Sequence, residues 1–139
     1  MDFKEQLVKR FGFSESDWEE TLKRFTPVTV PAKTFFLEKD RVAGRLGYLR
    51  KGLMRSFFYD DHANDITTHF YKESSVVISI KSFNDQVPSR EYIIAMEDCE
   101  LDVITYEDMR ELTELIPAWQ KVAGHVDKAR YTSLMNRSI

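Results

Sequence analysis

Between residues 28 and 105 the chain is a series of short runs rich in β-branched and aromatic residues, each closed by a turn signal. Val28 and Val30, then Phe35-Phe36-Leu37, are separated by Pro31-Ala32. Leu46 to Arg50 and Leu53 to Tyr59 are separated by Lys51-Gly52. Ile66 to Tyr71 follows after Asp60-Asp61-His62-Ala63-Asn64-Asp65, where Asn64 is expected to take a left-handed turn conformation. Arg90 to Met96 and Leu101 to Thr105 complete the series. Runs this short and this closely spaced favour a sandwich, roll or barrel over a helical bundle. The ten Phe, six Tyr and two Trp fit such a core, because rings pack well on pleated surfaces.

Helical patterns flank this region. In residues 2–25, Phe3, Leu7 and Val8 share a face before Gly12, and Trp18, Leu22 and Phe25 recur at helical spacing. Ser16 with Glu19 has the spacing of a capping box. After the strands, Thr105 with Asp108 marks the start of a short helix through Met109, Leu112 and Leu115. Pro117 then fits the first turn of a long helix running to the C-terminus. Helices, strands, then helices make an α+β arrangement. The expected architecture is an antiparallel β-roll of the jelly-roll (double-stranded β-helix) kind, with N-terminal helices and a long C-terminal helix. At 139 residues it is expected to be one domain: helices over 1–25, the roll over 26–105 and closing helices over 106–139.

Composition narrows the function classes. A net charge of −3 and a pI near 5.6 argue against a broad phosphate-tracking surface, so direct nucleic-acid binding by this chain is not expected. A single cysteine, Cys99, excludes an intrachain disulfide and a multi-cysteine metal site and fits a reducing cytoplasm. The charged N-terminus and the lack of a long apolar run argue against a signal peptide or a membrane span.

One stretch carries a family likeness. Leu46-Gly47-Tyr48-Leu49-Arg50-Lys51-Gly52-Leu53 resembles the apolar-x-Tyr-apolar-x-x-Gly strand and turn of the cyclic-nucleotide-binding superfamily. Val30-Pro31 to Leu37, Ile94-Ala95 to Leu101, and Tyr106-Glu107-Asp108-Met109 with the helix beyond Pro117 resemble that family's entry strand, pocket exit and closing helices. The ordered set is most similar to the sensor domain of Crp/Fnr-type transcription regulators of Bacteroidetes-like bacteria. The resemblance implies a cytoplasmic, signal-sensing, non-enzymatic domain that forms a homodimer through its last helix. Such a regulator continues into a winged helix-turn-helix, which the chain ending at Ile139 is expected to lack.

The resemblance also implies a phosphate-binding cassette: a Gly-Glu pair, a short helix, then Arg beside a small residue. Here Val77-Ile78 stands in the Gly-Glu place, and Ser89-Arg90 reverses the final pair. Neighbours on a strand face opposite sides, so the reversal turns Arg90 away from the pocket. The cassette is expected not to bind cyclic AMP. Ser79, Lys81, Ser82, Ser89 and Arg90 are the candidate ligand-binding residues, and their cations favour a small anion.

Trp119, Val122, Val126, Ala129 and Ser133 form a narrow stripe at three-four spacing, the candidate dimer seam. His62, His69 and His125 match no metal-ligand spacing, which disfavours a cupin-type metalloenzyme, and no cofactor is expected. Asp98 and Glu100 flank Cys99 and should raise its pKa, which favours a structural thiol over a redox sensor. No nucleophile motif or phosphate-cradling glycine loop points to catalysis. A ligand-free dimerisation module on the same fold is the main alternative to a sensor.

Overall fold

The structure, a computed structural model, describes residues 2–126. Two helices come first, α1 (Phe3–Phe11) and α2 (Glu15–Leu22). The strands β1 (Thr26–Val30), β2 (Phe35–Leu37), β3 (Arg45–Lys51), β4 (Met54–Tyr59), β5 (Asp65–Tyr71) and β6 (Val76–Val77) follow. A short helix α3 (Ile80–Asp85) leads into β7 (Tyr92–Ala95), β8 (Cys99–Thr105) and α4 (Tyr106–Leu115). Residues 118–126 are again helical, with Pro117 in the turn before them. The rest of the expected terminal helix, with Ala129 and Ser133, lies outside the described residues.

The strands form two four-stranded sheets, ordered β1-β8-β3-β6 and β2-β7-β4-β5, and every pairing is antiparallel. Alternation places one face of each strand inward, as in β8, where Cys99, Leu101 and Val103 are buried and Glu100 is exposed. The enclosed core contains Val30, Phe36, Leu49, Met54, Tyr71, Val77, Ile93, Ala95, Cys99, Leu101 and Val103.

Gly52 makes the β3–β4 turn at φ +111°, and a Cβ there would lie 2.8 Å from the Asp98 carbonyl oxygen and 2.9 Å from the Cys99 Cα. Only glycine fits both that dihedral and that backbone approach. In the β4–β5 turn it is Ala63, not Asn64, that takes positive φ (62°). The Asp60 carboxylate accepts from the backbone N–H of His62 and Asn64 and from Asn64 Nδ2. Asn64 is thereby held by its own hydrogen bonds, and the left-handed step falls one residue earlier.

The chain divides into two compact units, Thr26–Tyr106 and the helical segments on either side of it. Within the helical unit, α1 ends at Gly12 (φ 72°), whose N–H donates to the Val8 carbonyl, while the Phe13 N–H donates to the Leu7 carbonyl. The capping box of α2 is Ser14 with Asp17, not Ser16 with Glu19. The helix starts two residues earlier than the sequence pattern implied because Phe13, next to the Gly12 turn, is drawn into the core at 3% exposure. Phe13 packs edge-on to Trp119 (5.3 Å between ring centres), which also packs on Phe3 and Phe25. The Trp119 indole N–H donates to the hydroxyl of fully buried Thr21 at 3.2 Å. Trp119 and Val122 are therefore interior residues of this unit, so the free part of the expected seam begins no earlier than half-buried Val126.

Candidate ligand site

The segment from β6 to β7 is where the sequence places a binding site. Val77 is fully buried, and Ile78 is buried with its carbonyl accepting from the Tyr71 hydroxyl at 3.0 Å. Neither offers a polar group to a ligand. Two of the expected site serines are committed to backbone. Ser82 Oγ accepts from Ala43 N–H at 2.9 Å and donates to the Val87 carbonyl at 2.6 Å. Ser89 Oγ accepts from Glu91 N–H and donates to the Glu91 carbonyl. Both are almost fully buried, so these bonds satisfy groups that water cannot reach.

Lys81 and Arg90 are exposed. Ser89 is held inward by its bonds to the Glu91 backbone, and Arg90, in the bend between them, is exposed. Next to Ser89, a polar network crosses the β4–β5–β7 sheet. Ser56 Oγ and Thr68 Oγ1 are 2.7 Å apart, and Thr68 Oγ1 donates to the Glu91 carboxylate at 3.0 Å. The protein's own side chains are hydrogen-bonded to one another there.

An open cleft of about 370 Å³ lies within the roll. Phe36, Leu37, Val42 and Ile93 give it apolar walls, while Arg45, Ser79 and Thr105 supply polar side chains. Of the five expected ligand residues, only Ser79 is here. It is the N-cap of α3, yet its hydroxyl makes no capping bond. Arg45, at the start of β3, was not singled out from the sequence. Its guanidinium carbon lies 4.4 Å from the centre of the Phe36 ring, and Nη2 donates to the Phe36 carbonyl at a long 3.4 Å. No carboxylate among the described residues lies within ion-pair distance of Arg45. Burial alone lowers its pKa, and a guanidinium stays charged through such a shift.

The 38–44 loop forms one rim of this cleft and is tied to the 82–91 segment. Asp40 N–H donates to the Ser89 carbonyl and Ser89 N–H to the Arg41 carbonyl, each at 2.8 Å. Gln86 Nε2 donates to the Ala43 carbonyl at 2.9 Å. Two of the expected serines, Ser82 and Ser89, thus bond to this rim, while Ser79 lines the cleft.

Among the described residues no group of three or more His, Cys, Asp and Glu side chains is placed to hold a metal ion. Cys99 is buried, and its thiol donates to the Leu53 and Glu97 carbonyls. Burial pushes its pKa up most, and the charges of Glu97 and Asp98 add to the rise. The second acidic neighbour is thus Glu97 rather than Glu100. Among the described residues no helix is long and apolar enough to cross a membrane.

No protein-family model matches the sequence, and no curated protein matches it. Solved structures do. The catabolite activator protein of Thermus thermophilus superposes with a TM-score of 0.73 at 17% identity, over 91% of this chain and 57% of that one. The c-di-GMP-responsive global regulator CLP of Xanthomonas campestris gives 0.74 at 17% identity, over 90% and 63%. The sensor domain of the transcriptional regulator DNR from Pseudomonas aeruginosa gives 0.70 at 12% identity, over 93% and 89%. The chain thus spans about three fifths of the first two regulators and most of the isolated sensor domain. These likenesses agree with the two antiparallel four-stranded sheets described above. The likeness is one of fold: at 12–17% identity the chain shares the antiparallel β-roll of these structures.

Proposed function

We propose that this chain is a ligand-sensing regulatory domain of a Crp/Fnr-like transcription regulator, with no catalytic role of its own. In this reading it works in the cytoplasm, as a homodimer joined through the helix that begins at residue 118, and its cassette no longer takes cyclic AMP. One observation supports the reading: the segment between β6 and β7 turns its serines to its own backbone, while an open cleft lies beside it. Val77 and Ile78 offer no polar side chain, Ser82 and Ser89 bond to backbone, and Arg90 faces solvent. The cleft meanwhile keeps a volume within the roughly 300–1,000 Å³ of small-molecule sites. A ligand there regulates only if it binds one arrangement of the helices better than the other.

The test is a thermal-shift and calorimetric screen with cyclic nucleotides and small organic anions. Cyclic AMP and cyclic GMP should give no saturable heat, and at least one non-nucleotide should raise the melting temperature with concentration. Saturable binding of cyclic AMP would overturn the degenerate cassette. A flat response to every compound would remove sensing and leave the alternative, a ligand-free dimerisation module, which the internally satisfied serines favour.

A further inference from the structure

We infer that the cleft is a monoanion site: it takes a small carboxylic acid with an apolar body, and Arg45 holds the carboxylate. The inference rests on the sensing reading above and names the ligand class. A guanidinium half-removed from water usually has a carboxylate partner, because an uncompensated charge in such a place is costly. Arg50 pairs with Asp102 and Arg55 with Asp65 on the same roll. Among the described residues, Arg45 has the Phe36 ring and one long bond to a carbonyl, and no carboxylate. The missing counter-charge is what a ligand would bring.

The surroundings restrict that ligand further. Among the described residues the cleft is lined by one cation, Arg45, which matches a ligand of single negative charge. A carboxylate matches the planar fork of a guanidinium, and the uncapped Ser79 hydroxyl can donate a further hydrogen bond. Leu37, Val42, Ile93 and the Phe36 ring require the remainder to be apolar. This site does not use the cassette positions: Lys81 and Arg90 stand outside it.

Benzoate is the probe and benzamide its neutral counterpart, followed by NMR on methyl-labelled protein. Benzoate should give saturable shifts at the Leu37, Val42 and Ile93 methyls and at the Arg45 side-chain N–H. Benzamide should bind about tenfold more weakly or worse, as loss of a charge-assisted pair implies. Arg45→Gln should lose about the same factor, Arg45→Lys should fall between because its point charge lacks the fork, and Arg90→Gln should match wild type. Arg45→Lys keeps the charge and a long stem, so it serves if the Gln variant folds poorly. Equal affinity for benzamide and benzoate, or wild-type benzoate affinity in Arg45→Gln and Arg45→Lys, would overturn the anion pairing while leaving a cleft that binds. Shifts at none of the three methyls with either probe would overturn it together with the sensing site.

Discussion

Arg55 holds Asp65 through two bonds of 2.6 Å, one from each terminal guanidinium nitrogen, while its cation stacks 4.2 Å from the Phe57 ring centre. The Arg55 hydrogen bonds keep the Asp65 carboxyl below the ordinary aspartate range. A depressed folded pKa means that the pair's contribution is complete above the unfolded value of about 3.9 and is lost as pH falls through the folded value. A carboxyl-carbon titration should therefore place the Asp65 midpoint below that value, and Asp65→Asn should remove part of the acid-side loss of stability. An ordinary midpoint would mean the bridge does not persist in solution. A second residue-scale test concerns Thr21. Thr21→Val keeps the shape but leaves the Trp119 indole N–H without its acceptor in a buried place. The expected loss is about 1–3 kcal/mol, read as a lower urea midpoint at unchanged slope. Cys99 was legible at this scale, since its thiol sits among carboxylates, although burial proves to be the larger cause of its raised pKa.

At the scale of elements, the 38–44 loop and the 79–91 segment act as one piece. Ser82 joins them, accepting from Ala43 while donating to Val87. Ser82→Ala strands the buried Ala43 N–H at an expected cost of about 1–3 kcal/mol. Because Val42 and Gly44 on either side line the cleft, hydrogen exchange at Ala43 should quicken and benzoate binding should weaken along with stability. Unchanged exchange at Ala43 would show that Gln86 and the Ser89 backbone bonds secure the rim without Ser82. Most of the strands could be read from the sequence because their signal is local: β-branched and aromatic runs closed by turn residues such as Lys51-Gly52. The two-residue strand β6 could not, since Val76-Val77 is too short to show a period. The site was harder to read. Ser82 and Ser89 have the residue types of ligand contacts, but turn-forming segments use hydroxyls to satisfy their own backbone. Arg45 was overlooked because nothing adjacent in the sequence distinguishes it. Its role comes from Phe36 on another sheet and from carboxylates that the fold keeps at a distance, and neither is a local property.

At the scale of the whole molecule, the open matter is which residues a partner copy would meet. A stripe at three-four spacing serves equally for packing inside a chain and for a seam between chains. Trp119 and Val122 are buried within their own chain, Trp119 against Phe3, Phe13 and Phe25. Half-buried Val126 is the first described residue of the stripe with surface to share. The two roles separate by mutation. Trp119→Ala removes a buried indole from the aromatic cluster and should cost about 3–5 kcal/mol of folding stability at any protein concentration. Val126→Asp should leave unimolecular unfolding nearly unchanged but place a charge, without a counter-charge, in an apolar seam. Sedimentation over a range of concentrations should then show a reversible dimer for wild type and a monomer for Val126→Asp. Wild-type association in that variant would take the terminal helix out of the interface. A sensor that signals through that helix would then need another route from the cleft, because a ligand can shift assembly only where its binding distinguishes the assembled arrangement from the free one.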